Sequence, residues 1–156
     1  MSGPGEAGGV PGYLLWRVAN MWQKRMRAVL APFGVTPVQY LLLAALAEAL
    51  ETGDGAVKQS ALSRATGADA MMTSQVLRAL EKAGLVVRTA HEGDGRAVAV
   101  TLAEAGLDLV ARTAGPVAAA DAAFHAPLGA DAPAFADALR LLTGVRPRRR
   151  VKAISG

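Results

Sequence analysis

The sequence predicts a mainly α-helical protein with a helix-turn-helix and a two-stranded β-hairpin at its centre. Its 156 residues are 52% hydrophobic but only 4% aromatic, so alanine, leucine and valine supply most of the core, which favours closely packed helices. Apolar side chains recur at three- and four-residue steps along most of the chain, which is typical of amphipathic helices. The pattern becomes strand-like once, between residues 85 and 102.

The first helix is predicted over residues 13–31. Residues 1–12 precede it and are rich in glycine and proline, so we expect a disordered leader there. Pro32 and Gly34 end the helix, because proline cannot continue it and glycine readily adopts the conformation that follows a helix end. The apolar stripe of this helix consists of Leu14, Val18, Met21, Trp22, Met26, Val29 and Leu30.

A second helix is predicted directly after this break. Thr36 is a typical N-cap residue and Pro37 suits the first helical position. The sequence is nearly all apolar as far as Leu50, which predicts that this helix lies in the core. Gly53 and Gly55 mark its end.

A helix-turn-helix is predicted next, with one helix over residues 58–66 and another over residues 70–83. Gly67 suits the end of the former helix, and Asp69 can cap the start of the latter. About three residues separate the two helices, which is the spacing of a helix-turn-helix. Gly84 ends the second of them.

A β-hairpin follows, with strands over residues 85–91 and 97–102 joined through Gly93-Asp94-Gly95. Thr101 and Glu104 have the spacing of a capping box. The second strand is therefore expected to continue directly into a fifth helix.

The fifth helix is expected to kink or break at Gly115–Pro116, because proline removes a helical hydrogen bond. The last helix is predicted over residues 131–142, with Phe135, Leu139 and Leu142 on one side.

Composition excludes several classes of function. Without cysteine, the chain cannot form disulfides, thiolate metal sites or thiol nucleophiles. Its two histidines, His91 and His125, are too few and too far apart for a dedicated zinc site, so we expect no metal and no cofactor. No Ser/His/Asp arrangement, phosphate loop or paired-carboxylate motif stands out, and we expect no enzymatic activity. No apolar stretch has the length of a membrane span and no secretory signal is present, so we expect a cytoplasmic protein with no membrane partner.

Positive charge is concentrated in separate segments of the chain, whose net charge is +4. Residues 13–31 sum to +4 and residues 58–101 to +2, whereas residues 32–57 and residues 102–145 each sum to −3. Residues 145–156 hold five cations and are expected to form a flexible basic tail, which either keeps the protein soluble or contacts phosphate. This segregation favours a polyanionic partner.

The fourth predicted helix carries the residues best suited to reading DNA. At about 100° per residue, its apolar side chains share one side and a polar set lies opposite. Glutamine can read adenine, arginine prefers guanine or phosphate, serine can bond to either, and methionine can touch a thymine methyl group. The alternative is an ordinary solvated helix face. The outward set is Met71, Ser74, Gln75, Arg78 and Lys82.

The hairpin offers a second set of candidate DNA contacts. Arg96 lies just beyond the glycine-flanked tip, where a long cation can enter a minor groove and meet its negative potential. Asp94 can orient that guanidinium or stabilise the turn, and Arg88 adds a cation on the first strand. The alternative is a surface ion pair within the turn.

These segments together resemble the MarR family of winged-helix transcriptional regulators over roughly residues 14–143. The resemblance rests on the spacing between the fourth-helix motif and the hairpin motif. The matching motifs are Val35-Thr36-Pro37-Val38-Gln39-Tyr40, Leu62-Ser63-Arg64-Ala65-Thr66-Gly67, Thr73-Ser74-Gln75-Val76-Leu77-Arg78-Ala79-Leu80-Glu81-Lys82-Ala83-Gly84-Leu85-Val86, Asp94-Gly95-Arg96, Val100-Thr101-Leu102 and Gly106.

The resemblance implies a winged helix-turn-helix that regulates transcription by binding double-stranded DNA. Dimerisation helices are expected over about residues 13–31 and 103–143, with the DNA-binding module over about residues 36–102 of a single domain spanning residues 13–144. A homodimer of this kind places one module on each half of a pseudo-palindromic operator. We expect a repressor that blocks polymerase sterically.

Many MarR regulators respond to small aromatic or phenolic acids bound between the dimerisation helices and the winged module. The candidate residues for lining this crevice are Trp16, Asn20, Trp22 and Tyr40, with Arg17 as the carboxylate partner. The alternative is that the aromatic side chains belong to the dimer core. Two further readings stay open, a winged-helix protein-protein adaptor and a DNA-binding protein that responds to no ligand.

Overall fold

The structure is a computed structural model that describes residues 9–53, 55–91 and 93–144. The predicted basic tail and most of the predicted leader lie outside the described residues. The chain forms two compact units, Met1–Ala120 and Asp121–Gly156. The helices are α1 (Pro11–Leu30), α2 (Pro37–Thr52), α3 (Gln59–Thr66), α4 (Ala70–Lys82), α5 (Glu104–His125) and α6 (Ala132–Leu142), and the strands are β1 (Val57–Lys58), β2 (Val86–His91) and β3 (Asp94–Leu102).

Every predicted helix is present, and α1 begins earlier than predicted. Its first residue is Pro11, inside the segment expected to be leader, because proline is favoured at the first helical position. A short 3₁₀ turn, Ala31–Phe33, follows α1 and ends at Gly34, whose φ of 72° needs glycine. The predicted break between the first two helices is therefore confirmed.

The start of α2 is fixed by a reciprocal cap. The Thr36 hydroxyl oxygen accepts a hydrogen bond from the backbone N–H of Gln39 at 3.2 Å. The Thr36 N–H in turn donates to the Gln39 side-chain oxygen at 3.0 Å. This is a capping box that satisfies two otherwise unpaired donors, and it confirms Thr36 as the N-cap.

The turn between α3 and α4 forms as predicted. Gly67 ends α3 in the left-handed region with φ at 73°. The Ser63 hydroxyl donates to the carbonyl oxygen of Ala68 at 2.6 Å and so closes the turn. The Asp69 carboxylate accepts from the N–H of Met72 at 2.7 Å, which caps α4. Two helices joined by this short turn form the expected helix-turn-helix.

The sheet has three strands in the order β1-β3-β2, all antiparallel, whereas two strands were predicted. The extra strand pairs Val57 with Val100 and Lys58 with Ala99. Lys58 was expected to begin the third helix, but it lies in β1 and the helix starts one residue later, at Gln59. A two-residue strand has no periodicity, so only its pairing with β3 reveals it.

The entry into α5 also differs from the prediction. Thr101 stays in β3, paired with Val87, so it cannot cap the helix. The carbonyl of Ala103 instead accepts the first helical hydrogen bond, from Leu107 at 3.0 Å. The helix then continues through Pro116 without the predicted break. One missing donor is tolerated there because the flanking turns keep their own hydrogen bonds.

The core of the first unit joins the helix-turn-helix to α1, α2, the sheet and α5. Burying each of its larger apolar side chains contributes about 1.5–3 kcal/mol to the stability of the fold. This core holds α4 by one side and leaves the other side in solvent. Its fully or nearly fully buried members include Met26, Leu30, Leu42, Leu43, Leu46, Leu62, Leu77, Leu80, Val86 and Val100.

The second unit contains the end of α5 and α6. His125 lies near two phenylalanines, with ring centroids 5.2 Å from Phe124 and 5.8 Å from Phe135. Its Nδ1 is 2.9 Å from the carbonyl oxygen of Asp121. Phe135 and Leu139 are half-buried, as expected for one helix side, but Leu142 is 77% exposed.

Among the described residues, no single helix is both long and apolar enough to cross a bilayer. Only α1 with its 3₁₀ turn, taken together with α2, meets that length and composition, and this pair bends by 78°.

Candidate nucleic-acid interface

The outward side of α4 presents four long side chains in one row. Met71, Gln75, Arg78 and Lys82 are all exposed, and Met71 has 72% of its surface in solvent. At about 100° per residue, they fall within a sector of roughly 60°. Ser74 lies at the margin of this sector and is half-buried. We call these five residues the α4 face.

The opposite side of α4 is anchored in the core. Thr73, Leu77 and Leu80 are at most 1% exposed. The hydrophobic contacts of the two leucines hold the helix in place, and the Asp69 cap fixes its first turn. An exposed helix of 13 residues is about 20 Å long, and its diameter suits a major groove.

Arg88 does not join this face. Its Nη1 lies 3.3 Å from the Glu81 carboxylate, and its Nη2 donates to the Gln59 side-chain oxygen at 3.3 Å. The side chain is only 15% exposed. Arg88 therefore links β2 to α4 and to the start of α3, and we remove it from the candidate DNA contacts.

The wing places Arg96 within a strand. β3 begins at Asp94, three residues before the predicted start of that strand, and pairs there with His91. Gly93 turns the chain between the two strands with φ at 94°. Arg96 is exposed near this tip. The sequence predicted Arg96 just before the second strand, whereas the structure places it within β3, and its contact with DNA stays a prediction.

A cavity of about 490 Å³ lies between α1 and the helix-turn-helix. α1 supplies one wall through Trp22, Gln23 and Arg27. Met72, on α4, contributes to the opposite wall. The remaining lining comes from the start of α2 and the turn after α3, through Thr36, Pro37, Val38, Leu41, Thr66, Gly67 and Ala68.

Of the five predicted ligand-binding residues, Trp22 lines this cavity and the other four do not. Trp16 is 70% exposed. Asn20 donates from Nδ2 to the backbone carbonyl oxygen of Trp16 at 2.7 Å. Arg17 is exposed on the same stretch of α1. Tyr40 packs against the core, and burial raises the pKa of its hydroxyl. Selection by aromatic type therefore found Trp22 but missed Gln23 and Arg27, and a ligand contact by the other four residues stays a prediction.

The sequence holds only a partial signal for the cavity residues. Gln23 and Arg27 are four residues apart, so they share one side of α1, and Trp22 lies beside them. Met72 follows Met71 on α4 but points to the cavity side. Asn20 and Lys24 have the same spacing and do not line the cavity, so only the fold distinguishes Gln23 and Arg27 from them.

Comparison with known proteins agrees with this geometry. A family profile described as the MarR family matches residues 33–97, which include the helix-turn-helix and most of the wing. The uncharacterized HTH-type transcriptional regulator YdcH of Bacillus subtilis is 35% identical over 125 residues, which cover 80% of this chain and 82% of that protein. The chain belongs to the MarR family.

Two further relatives extend the comparison. The HTH-type transcriptional repressor Rv2887 of Mycobacterium tuberculosis is 34% identical over 111 residues, covering 71% of this chain and 76% of that protein. The transcriptional repressor CouR, solved on a 23-mer DNA duplex, superposes with a TM-score of 0.78 at 26% identity and covers 91% of this chain and 98% of that one. CouR of Rhodococcus jostii RHA1 has also been solved with p-coumaroyl-CoA. These MarR-family relatives are transcriptional regulators, not enzymes.

Proposed function

We propose that this MarR-family regulator is a repressor that binds a pseudo-palindromic operator as a homodimer and leaves it when a small ligand binds. The observation that carries the proposal is the α4 face, a row of exposed groups that can read bases on a helix anchored in the core. CouR on its DNA duplex supports the same use of this fold.

Each member of the α4 face has a role in this proposal. Gln75 reads adenine and Arg78 reads guanine, because each can form a pair of hydrogen bonds to a base edge in the major groove. Lys82 and Ser74 contact phosphate. Met71 lies against a thymine methyl group.

The wing supplies the minor-groove contact. Arg96 extends from β3 toward the narrow groove, where negative potential favours its guanidinium. Asp94 stays a candidate from the sequence, as the residue that supports the tip. One DNA-binding module thereby contacts the major groove through α4 and the minor groove through the wing.

Dimerisation is supported by apolar side chains that a single protomer leaves in solvent. α1 exposes six of them, and α6 exposes Leu141 at 60% and Leu142 at 77%. Side chains of this kind mark protein–protein interfaces when they lie together. Two recognition helices in such a dimer lie about 34–36 Å apart, one turn of DNA. The six on α1 are Tyr13, Leu14, Leu15, Trp16, Val18 and Met21.

The ligand site that we propose is the cavity beside α1. Arg27 and Gln23 offer a guanidinium and an amide to a carboxylate, while Trp22 and Leu41 offer apolar contact to an aromatic ring. An aromatic acid fits this chemistry. Because Met72 lines the same cavity, a bound ligand pushes on the first turn of α4 and favours a different spacing between the two recognition helices.

The test is selection of bound DNA from a random pool. We expect a palindrome whose half-sites are about one helical turn apart, and an affinity that falls steeply with added salt. A protein-protein adaptor would enrich no sequence. Addition of benzoic and cinnamic acids to the complex then tests release, and a regulator without a ligand would remain bound throughout.

A further inference from the structure

The methionines of this cysteine-free chain differ sharply in exposure. Met26 is fully buried, with 0% of its surface in solvent. Met21 on α1 is 57% exposed, and Met72 on α4 is 45% exposed. Met71 is the most exposed of these four, at 72%. Within residues 9–144, the methionine sulfur most open to solvent therefore lies on the helix that we propose reads the operator.

Position distinguishes Met71 from its neighbour. Met71 shares the α4 face with Gln75 and Arg78, one and two helical turns further along. Met72 lines the cavity instead. Modification of Met71 thus changes the surface offered to DNA, whereas modification of Met72 leaves that surface unchanged.

The chemistry available to an exposed thioether is two-electron oxidation by a peroxide. The sulfur lone pair attacks one peroxide oxygen, an S–O bond forms and the O–O bond breaks. With hydrogen peroxide, the sulfide is oxidised to a sulfoxide and the peroxide is reduced to water. The product is polar where the thioether was apolar, and reductases can reverse it.

We propose that Met71 is an oxidation site through which peroxides lower the affinity of this regulator for its operator. The inference rests on the proposed function, because it needs DNA to bind at the α4 face. The sulfoxide loses the apolar contact with a base, and its partly negative oxygen faces a polyanion. No thiol is needed, which suits a chain without cysteine.

The experiment uses the full chain and a duplex selected from the random pool. Protein is treated with hydrogen peroxide, sulfoxides are mapped by mass spectrometry, and affinity is measured before and after treatment. We expect Met71 to oxidise far faster than Met26, and affinity to fall on the order of five- to tenfold. Met71→Leu should keep its own untreated affinity after the same peroxide treatment, because leucine is similar in size and has no sulfur to oxidise.

Met72→Leu is the matched control, since it removes an exposed sulfur next to Met71 but outside the α4 face. This variant should still lose affinity on oxidation, and methionine sulfoxide reductase should restore it. Duplex bound beforehand should slow oxidation at Met71 more than at Met72. Full sulfoxide at Met71 without loss of affinity overturns the inference, as does a loss that Met71→Leu does not prevent. If the proposed function itself is wrong, the untreated protein will bind no duplex, and this result is seen before any peroxide is added.

Discussion

The guanidinium of Arg88 lies 3.3 Å from the carboxylate of Glu81, and so the wing is tied to the recognition helix. The same side chain donates to Gln59 at the start of α3. One arginine therefore joins three elements of the DNA-binding module. Its position on β2 had suggested a DNA contact, but its contacts are internal.

Replacing this arginine should weaken the fold. Arg88→Ala removes hydrogen bonds from a side chain that is only 15% exposed, and we expect it to cost about 1–3 kcal/mol of unfolding free energy in urea titrations. Arg140→Ala is the control, because its pair with Asp137 is more than half exposed on both sides and should contribute less than about 1 kcal/mol. Equal losses for the two variants would argue against a linking role for Arg88.

Arg78 should contribute to sequence discrimination. Arg78→Ala is expected to lose about 1–3 kcal/mol of affinity for the selected duplex and to relax the preference at one base pair. Lys82→Ala should instead weaken binding to all duplexes alike and reduce the salt dependence. Binding titrations on matched and mismatched duplexes separate the two effects, and identical behaviour of both variants would contradict the assigned roles.

Arg96 should contribute through the minor groove. We expect Arg96→Ala to lose about 1–3 kcal/mol of operator affinity, with the loss concentrated on duplexes that carry A·T pairs beneath the wing. Dimerisation, measured by sedimentation, should be unchanged. If the loss is the same for G·C pairs at those positions, the contact is with phosphate.

The packing of α5 on the sheet should depend on a glycine. A methyl group at Gly106 would overlap the carbonyl oxygen of Leu85, which accepts a hydrogen bond from Ala103 at 3.0 Å. Gly106→Ala should therefore destabilise the fold by about 1–3 kcal/mol. Gly12→Ala, in α1, where the added carbon meets no atom within 4 Å beyond its chain neighbours and its own helix backbone, should instead be neutral or stabilise the fold by up to about 1 kcal/mol. Thermal unfolding of both variants measures the contrast, and a stabilised Gly106→Ala would refute the close approach.

Arg27 should hold the carboxylate of a ligand in the cavity. Trp16→Phe removes the exposed indole, so that fluorescence reports on Trp22 in the cavity wall. In this background, Arg27→Ala should weaken binding of aromatic acids about tenfold or more, whereas Lys24→Ala, which leaves the cavity lining intact, should not. An equal effect of both substitutions would indicate only a general attraction to positive charge.

The local signals in the sequence were reliable. Thr36, Asp69 and Gly67 each act within a few residues of the backbone groups that they satisfy, and the structure confirms all three. The outward side of α4 also followed from periodicity alone. The capping box predicted at Thr101 was wrong. The spacing of Thr101 and Glu104 suits a cap, but Thr101 is still paired with Val87 of the neighbouring strand, and the sequence does not show that pairing.

Sequence by itself determined the order of the helices, the turn before α4 and the side of α4 that meets solvent, because caps and periodicity depend on neighbours along the chain. Only the tertiary structure showed that β1 pairs with β3, which residues line the cavity, and that Arg88 links elements of the fold. Arg88 and Gln59 are 29 residues apart, and β1 meets β3 only after the chain has folded back. Contacts across such separations leave no local pattern, since the energy that selects them comes from packing.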